Sequence, residues 1–259
     1  MEMPRQAVII TGANGGIGEA LVHYFFQQGY FVLGTDVQAK ISDNNQNHCF
    51  SYFEADLEQT VLDINQDCLI FKMIKDCLEA HDLQLSGLIN NAAIQILSPS
   101  EKLTLNDWQK TLNINLLAPF FWTQQFLTEL KNSNGSVVNI SSIHARLTKK
   151  EFVAYATSKA ALSGLTRNMA VDLAGKIRVN AIEPAAIETA MLKAGFEGQD
   201  KLYQALGECH PLGRIGDVKE VAKLAFTLIN QEIGFLNGAT VALDGGISNC
   251  LLDPILNID

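Results

Sequence analysis

Short apolar runs alternate with segments of helical periodicity along almost the whole chain. The runs are rich in branched apolar residues, which is typical of strands buried on both faces. They predict strands at residues 7–10, 31–36, 50–54, 87–90, 135–142, 177–182 and 239–243. The segments between them predict helices at residues 17–28, 58–81, 107–131, 152–174 and 217–230. Pro119 should kink the third of these helices or mark its packing against a neighbour.

This order of elements predicts the fold class. Strands that alternate with helices throughout require a parallel sheet that is covered by helices on both faces. No linker, low-complexity run or repeat divides the chain. We therefore predict one doubly wound α/β domain over residues 1–259, with about seven strands. Residues 185–213 are less regular and partly helical.

Composition and charge narrow the classes of partner. The chain is 47% apolar and 18% charged, which is ordinary for a soluble globular protein. Its net charge of −9 and pI near 5.0 argue against nucleic acid as a partner. No apolar run approaches the length of a membrane span or a signal-peptide core. The five cysteines are scattered and form no Cys-x-x-Cys pair, so we expect a cytoplasmic, metal-free protein without disulfides.

A glycine-rich turn joins the first predicted strand to the first helix. Its glycines allow a tight turn and let the backbone approach a diphosphate, which the helix N-terminus then binds. Asp36, at the end of the next strand, has the spacing of a carboxylate that binds the adenosine ribose and repels a 2′-phosphate. No lysine or arginine lies between Thr11 and Gln38, so we expect NAD in preference to NADP.

Tyr155 and Lys159 have the i, i+4 spacing that places two side chains on one face of a helix. An ammonium beside a phenol favours the phenolate, so this tyrosine could act as a general acid or base near neutral pH. Taken alone, the pair is also typical of an ordinary helix surface. Its interpretation therefore depends on the motifs around it.

The whole chain resembles the short-chain dehydrogenase/reductase family, in the compact subtype of about 250 residues, whose fold is of the Rossmann type. The motifs that carry the resemblance occur in the order of the family: Thr11–Gly18, Asp56-Leu57, Asn90-Asn-Ala-Ala93, Asn115, Ser142, Tyr155-x-x-x-Lys159 and Ile177-Arg-Val-Asn180 before Pro184. The resemblance implies an oxidoreductase that transfers a hydride between NAD(H) and a secondary alcohol or ketone. Alanine stands at positions 93 and 185, where glycine is the commoner residue of the family, which puts the geometry of those loops in doubt.

The resemblance also implies roles for individual residues. Tyr155 would be the general acid/base, and Lys159 would lower its pKa and hold the nicotinamide ribose. Ser142 would bind the substrate oxygen, and Asn115 would kink its helix and join a water relay to Lys159. The implied cofactor-binding residues are Gly12, Asn14, Gly16, Ile17, Gly18, Asp36, Asp56, Leu57, Asn91, Tyr155, Lys159, Ile187 and Thr189.

Substrate choice should come from residues 94–100, 143–153 and 185–213, the last as a lid over the site. The second segment is basic, and our hypothesis is that His144 or Arg146 contacts an anionic or strongly polar substrate group, beside Ser142 and Tyr155. The alternative is a solvated basic loop.

Oligomers and other functions are further expectations. The family resemblance implies that the 107–131 and 152–174 helices form a homodimer interface, commonly within a tetramer, and the 244–259 tail could pack at a second interface. The alternatives to a small-molecule dehydrogenase are a non-catalytic dinucleotide-binding scaffold or sensor and a carrier-bound 3-oxoacyl reductase.

Overall fold

A seven-stranded parallel sheet forms the centre of the protein, in the order β3-β2-β1-β4-β5-β6-β9. The computed structural model describes residues 5–38, 49–64 and 68–251, except for the side chain of Met191. All neighbouring strands of this sheet run parallel. The strands are β1 (Arg5–Thr11), β2 (Phe31–Asp36), β3 (Phe50–Glu54), β4 (Leu83–Asn90), β5 (Ser136–Ile140), β6 (Arg178–Pro184) and β9 (Thr240–Leu243), while β7 (Ile187–Glu188) and β8 (Gly216–Asp217) form a separate small ladder.

Helices cover both faces of the sheet, as the alternating pattern predicts. They are α1 (Gly16–Gln27), α2 (Leu57–Leu62), α3 (Leu69–Ala80), α4 (Leu105–Leu112), α5 (Ala118–Gln125), α6 (Leu127–Asn132), α7 (Val153–Asp172), α8 (Ala190–Ala194), α9 (Asp200–Glu208) and α10 (Val218–Ile229). The predicted doubly wound α/β class is confirmed.

Alternate residues of the central strands pack into two separate cores. Ile9 of β1 packs in the core that contains Trp122 of α5. Val8 and Ile10 face the opposite core, where they meet Phe25 of α1. Because side chains alternate along a strand, a strand buried on both faces must be apolar throughout. This explains why the strands appear in the sequence as continuous apolar runs.

Two predicted helices are interrupted. The 58–81 region is mostly helical, as expected, but it holds two helices, since α2 ends at Leu62 and α3 begins only at Leu69. The 107–131 prediction is divided by a π-helical turn at Asn113–Leu117 and by a break at Phe126. Pro119 lies just after the π turn and has no N–H to donate to the Asn115 carbonyl four residues earlier. The wider turn accommodates that missing bond, so Pro119 changes the helix type locally.

The substitution of alanine for glycine at position 185 is accommodated without strain. Ala185 follows β6, and its N–H donates to the Leu243 carbonyl at 3.1 Å. It is not among the described residues with positive φ. The turn after Pro184 therefore does not need glycine in this chain.

The described ranges contain no helix with both the length and the apolar character of a membrane span. Within the same ranges, no group of three or more His, Cys, Asp and Glu side chains is arranged to hold a metal ion. All five cysteines are free thiols.

Candidate active site

The glycine turn between β1 and α1 is shaped by close backbone contacts. Gly12 has a φ of +67°. A Cβ on Gly18 would lie 1.9 Å from the Gly12 carbonyl oxygen, so a side chain cannot be accommodated there. No side chain caps α1 at Gly15. The N–H groups of the first helical turn, including those of Gly16 and Ile17, are therefore suited to bind a diphosphate.

Asn91 holds this turn from the end of β4. Its Nδ2 donates to the carbonyl oxygens of Thr11 and Gly12, both at 3.0 Å. The Thr11 hydroxyl in turn accepts from the N–H groups of Asn91 and Ala92 at 3.1 Å. The sequence suggested a ribose contact for Asn91, and the structure adds that its amide group fixes the glycine turn.

Asp36 ends β2 directly beside the turn. Its Oδ2 accepts from the Asn14 N–H at 3.1 Å, and its Oδ1 accepts from the Gln38 N–H at 3.4 Å. The Asn14 side chain also donates to the Tyr52 hydroxyl at 2.8 Å. These bonds orient the carboxylate, and its remaining lone pairs fit the two hydroxyl groups of a ribose.

The other predicted cofactor residues gather at the same edge of the sheet, where a doubly wound fold binds its ligands. Asp56 follows β3 and accepts from the Glu58 N–H at 2.9 Å, and the adjacent Leu57 is buried. Thr189 comes from far along the chain, yet a Cβ on Gly16 would lie 3.1 Å from the Thr189 side chain. Ile187, two residues earlier, is buried in β7. The structure thus brings together residues that lie far apart in the sequence, in an arrangement that fits a dinucleotide.

Tyr155 lies in the first turn of α7, with its phenol near the Ser142 side chain. Burial raises the pKa of the Tyr155 phenol, and the neighbouring Ser142 hydroxyl lowers it in part. Ser142 lies just beyond β5 and is itself buried. These two side chains form a pair that can bind a substrate oxygen and exchange a proton with it.

Lys159 lies deeper in the protein than its helix position suggests. Its side chain is only 2% exposed, and Nζ donates to the Ile140 carbonyl at 2.8 Å. Burial lowers the pKa of this amine to about 7. The ammonium lies 5.7 Å from the ring centroid of Tyr155. Burial and Ser142, rather than Lys159, account for the pKa shift of the Tyr155 phenol, so the expected lowering of that pKa by Lys159 stays a prediction.

Asn115 lies in the π turn with no exposed surface. Its Oδ1 accepts from the Ile94 N–H and its Nδ2 donates to the Ile94 carbonyl, both at 2.9 Å. The same Nδ2 donates to the Ser158 hydroxyl at 3.0 Å. Asn115 thereby ties the loop after β4 to α7, next to Lys159. Its part in a water relay stays a prediction.

The two basic candidates of the 143–153 loop differ in their surroundings. His144 stacks on Phe152 with ring centroids 4.5 Å apart and meets Tyr155 edge-on at 5.8 Å. Burial, and then the Lys149 charge, lower the pKa of His144. Arg146 Nε instead lies 2.7 Å from Oε2 of the buried Glu183.

Sequence analysis missed a buried polar network beneath the site. Asn90 Nδ2 donates to Asn139 Oδ1 at 2.8 Å, and Asn139 Nδ2 donates to the Thr166 hydroxyl at 2.9 Å. These bonds link β4, β5 and α7. The available signal was the presence of Asn90, Asn139 and Glu183 inside otherwise apolar strand runs, where an unpaired polar group would be costly.

The chain is similar to known proteins over almost its whole length. A family profile described as Enoyl-(Acyl carrier protein) reductase matches residues 12–248. The chain is 32% identical, over 249 residues, to a probable 2,4-dienoyl-CoA reductase of Bacillus subtilis, with 94% of this chain and 97% of that one covered. Among solved structures, the aldohexose dehydrogenase of Thermoplasma acidophilum superposes with a TM-score of 0.85 at 28% identity, covering 97% and 98% of the two chains. A 4-hydroxyisoleucine dehydrogenase complexed with NADH gives a TM-score of 0.84 at 26% identity, with 95% and 100% covered.

The glycine turn, the Ser142–Tyr155 pair and these matches define the class of protein. The chain belongs to the short-chain dehydrogenase/reductase family. It is an oxidoreductase of alcohol and ketone groups, and the resemblance noted from its motifs is confirmed.

Proposed function

We propose that the protein uses NAD(H) to interconvert a neutral, polar secondary alcohol and its ketone, with Tyr155 as general acid/base. The observation that carries the proposal is the placement of Ser142, just beyond β5, beside Tyr155 in the first turn of α7, at the edge of the sheet where the cofactor residues also gather. A nicotinamide dinucleotide, when bound, accepts or supplies the hydride. The protein must then bind the two reactants, orient them and move one proton.

Each polar group of the site has a role in that proton transfer. During oxidation, Tyr155 takes the hydroxyl proton of the alcohol while the adjacent carbon loses its hydride. With substrate bound, Ser142 donates its one hydroxyl proton to the substrate oxygen; without substrate it can donate to the Tyr155 oxygen, which favours the phenolate. With the cofactor bound, Lys159 would hold the nicotinamide ribose, and Asn115 would support a water relay behind it. During reduction the same groups return the proton.

NAD is the proposed form of the cofactor because of Asp36. Its carboxylate is held at the end of β2 by the N–H groups of Asn14 and Gln38, where we expect the adenosine ribose to bind. A carboxylate there accepts hydrogen bonds from free ribose hydroxyls and repels a 2′-phosphate.

A neutral substrate is favoured by the charges around Arg146. Glu183 pairs with the guanidinium at 2.7 Å. Burial raises the pKa of Asp244, but hydrogen bonds with Ser248 and Gly246, and to a smaller extent the Arg146 charge, lower it overall, so this second carboxylate also lies within the field of Arg146. Little positive field is then left for an anionic substrate. We accordingly prefer His144 to Arg146 as the substrate contact.

His144 offers a hydrogen-bond acceptor to the substrate. Its Nδ1 lies 3.2 Å from the Leu147 carbonyl, which can only accept, so Nδ1 carries the proton of the neutral ring. Nε2 is then the acceptor. Beside Tyr155, it suits a hydroxyl group next to the reacting carbon, and residues 185–213 would close over such a substrate as a lid.

A carrier-bound acyl reductase is the second candidate, favoured by the description of the matching family profile. A screen of neutral and charged alcohols, ketones and 3-oxoacyl thioesters, each with NAD(H) and NADP(H), separates the two. We expect turnover of neutral hydroxy compounds with NAD(H). Preferred turnover of thioesters with NADPH would overturn the proposal, and a protein that binds NADH without any turnover would indicate a scaffold or sensor.

Assembly as a homodimer or homotetramer is also proposed. Within the two helices that the family resemblance places at an interface, Phe126, Leu162 and Met169 are buried in the protein's own interior. Leu117 and Val153 remain exposed in the 107–131 and 152–174 regions, at 36% and 39%. Leu252, Ile255 and Leu256 of the tail lie outside the described residues. Light scattering of the purified protein tests the assembly, and a cytoplasmic location likewise stays a prediction.

A further inference from the structure

A buried carboxylate lies directly behind the catalytic groups. Glu183, near the carboxyl end of β6, is only 1% exposed. Its Oε1 accepts from the Ser163 hydroxyl at 2.8 Å, and its Oε2 lies 2.7 Å from Arg146 Nε. Burying a charge is costly unless it is paired and hydrogen-bonded, and breaking such a pair leaves the remaining charge uncompensated. Glu183 therefore constrains both of its partners.

One of these partners, Arg146, belongs to the segment from Ser142 to Arg146, called here the serine loop. Arg146 directly follows the short 3₁₀ helix Ile143–Ala145, which begins at Ser142. The Ser142 hydroxyl accepts from the His144 N–H at 3.1 Å, and the Ile143 carbonyl accepts from the Arg146 N–H at 3.0 Å. These local bonds make the segment from Ser142 to Arg146 a compact unit. The Glu183–Arg146 pair fixes one end of this unit to the sheet.

The other partner, Ser163, belongs to α7, the helix that carries Tyr155. Ser163 lies in α7, one turn beyond Lys159. Its hydroxyl is 2.9 Å from the Ser141 hydroxyl, which donates to the Lys159 carbonyl at 3.0 Å. Ser141, Ser163 and Glu183 are all buried. The carboxylate is thus connected to α7 and to the residue immediately before Ser142.

We propose that Glu183 is a positioning residue that fixes Ser142 relative to Tyr155, through its ion pair with Arg146 and its hydrogen bond with Ser163. The proposal rests on the proposed roles of Ser142 and Tyr155. It also gives Arg146 a purpose within the serine loop, where the guanidinium compensates a buried charge. Neither residue needs to touch the substrate for this effect.

The first test is the titration of the Tyr155 phenol, because this readout needs no knowledge of the substrate. The absorbance of the phenolate is followed against pH in the full-length protein. For each protein tested, the titration of the same protein with Tyr155→Phe added is subtracted, which leaves the signal of Tyr155. Ser142 lowers the pKa of Tyr155, so a displaced Ser142 should raise it. Glu183→Gln, which keeps the shape but removes the charge, should move the midpoint upward by roughly 0.5–1 pH unit. Ser142→Ala should give a similar shift, and the double variant should show no further shift.

Glu129→Gln is the matched control. Glu129 is another ion-paired glutamate, with Lys75 Nζ at 3.4 Å, but it lies in α6 away from the site. It should leave the Tyr155 titration unchanged. If Glu183→Gln does not fold, Arg146→Met tests the same pair from its half-exposed side, and Arg146→Lys should recover part of the loss.

Kinetics provide the second test, with the best neutral alcohol from the cofactor screen. Glu183→Gln and Arg146→Met should each lower kcat by roughly 10–100-fold, as expected for displaced catalytic groups, with little change in KM for NAD. The variant that carries both Glu183→Gln and Arg146→Met should have a kcat no lower than that of the less active single variant, because both changes remove the same ion pair.

The proposal would be overturned if Glu183→Gln left the Tyr155 titration and kcat unchanged, even if it lowered thermal stability. It would also be overturned if the losses of kcat in Glu183→Gln and Arg146→Met were fully additive in the variant that carries both changes. None of these results would contradict the proposed function. That proposal fails separately, if Tyr155→Phe keeps its turnover.

Discussion

Lys159→Met should make the cofactor-free protein more stable near neutral pH, although it removes a group that the proposed chemistry needs. The Lys159 side chain is 2% exposed, and its amine has one carbonyl partner within hydrogen-bond distance, that of Ile140. Methionine has a similar length and no charge. The substitution therefore removes a buried amine while it keeps most of the packing.

The size of the effect follows from the pKa of the amine. Burial lowers the pKa of Lys159 from 10.5 to about 7. At about 1.4 kcal/mol per pKa unit, and with the folded group half deprotonated at pH 7, this group alone favours the unfolded chain by roughly 4 kcal/mol at that pH. Methionine removes that cost but leaves the Ile140 carbonyl unpaired, which costs about 1–3 kcal/mol. The net gain in the free energy of unfolding should be roughly 1–3 kcal/mol, or about 2–12 °C in Tm.

The gain should also depend on pH. Between pH 7 and 10.5 the unfolded chain binds a proton at Lys159 that the folded chain does not bind. Stability rises with pH wherever the unfolded state binds more protons, so the wild-type protein loses this penalty as the pH rises through that window. The methionine variant has no such group, and its advantage should shrink from pH 7 toward pH 10.

Differential scanning calorimetry of both proteins without cofactor, near pH 7 and near pH 9.5, measures the difference directly. Lys72→Met is the control, since Lys72 is exposed on α3 and its replacement should change Tm little at either pH. A Lys159→Met protein that is less stable than wild type at pH 7, or a gain that does not shrink with pH, would refute the reasoning.

Three further predictions concern the cofactor site and its support. Asp36→Ala should weaken NADH binding and strengthen NADPH binding, so that the ratio of the two Kd values changes by about tenfold or more; fluorescence titration measures both, and an unchanged ratio would count against the assignment. Gly18→Ala should abolish cofactor binding or folding, because its Cβ would lie 1.9 Å from a backbone carbonyl. Gly164→Ala in α7 has no neighbour closer than 3.9 Å and should be neutral or slightly stabilising; equal behaviour of the two variants would contradict the geometry. Asn115→Ala should lower the free energy of unfolding by about 2–3 kcal/mol, because three hydrogen bonds of a fully buried side chain are lost; denaturant unfolding checks this, and a loss below about 0.5 kcal/mol would contradict it.

Local patterns predicted much of the fold and the cofactor turn. Val8, Ile9 and Ile10 form a continuous apolar run because β1 is buried on both faces. Gly18 had to be glycine because a backbone carbonyl occupies the space of its Cβ. Such features depend on the residue itself and its near neighbours, so they are visible in the sequence. The break between α2 and α3 is different, since tertiary packing decides where a helical pattern is interrupted.

The electrostatics of the site were not visible in the sequence. The i, i+4 spacing of Tyr155 and Lys159 correctly suggested one helix, but the effect of the ammonium on the phenol depends on how deeply both are buried. Arg146 appeared to belong to a basic loop, yet its partner Glu183 lies on another strand. Pairings between distant segments have no local signal, apart from a charged residue inside an apolar run.

The most direct test of the account is the activity of Tyr155→Phe, measured with the best alcohol from the screen and saturating NAD. Removing only the hydroxyl group should leave NADH affinity within about twofold of wild type, because the ring and its packing are kept. Turnover should fall by at least about 100-fold, because the proton has lost its acceptor. A Tyr155→Phe protein that binds NADH normally and turns over within a few-fold of wild type would contradict the assignment of Tyr155 as general acid/base.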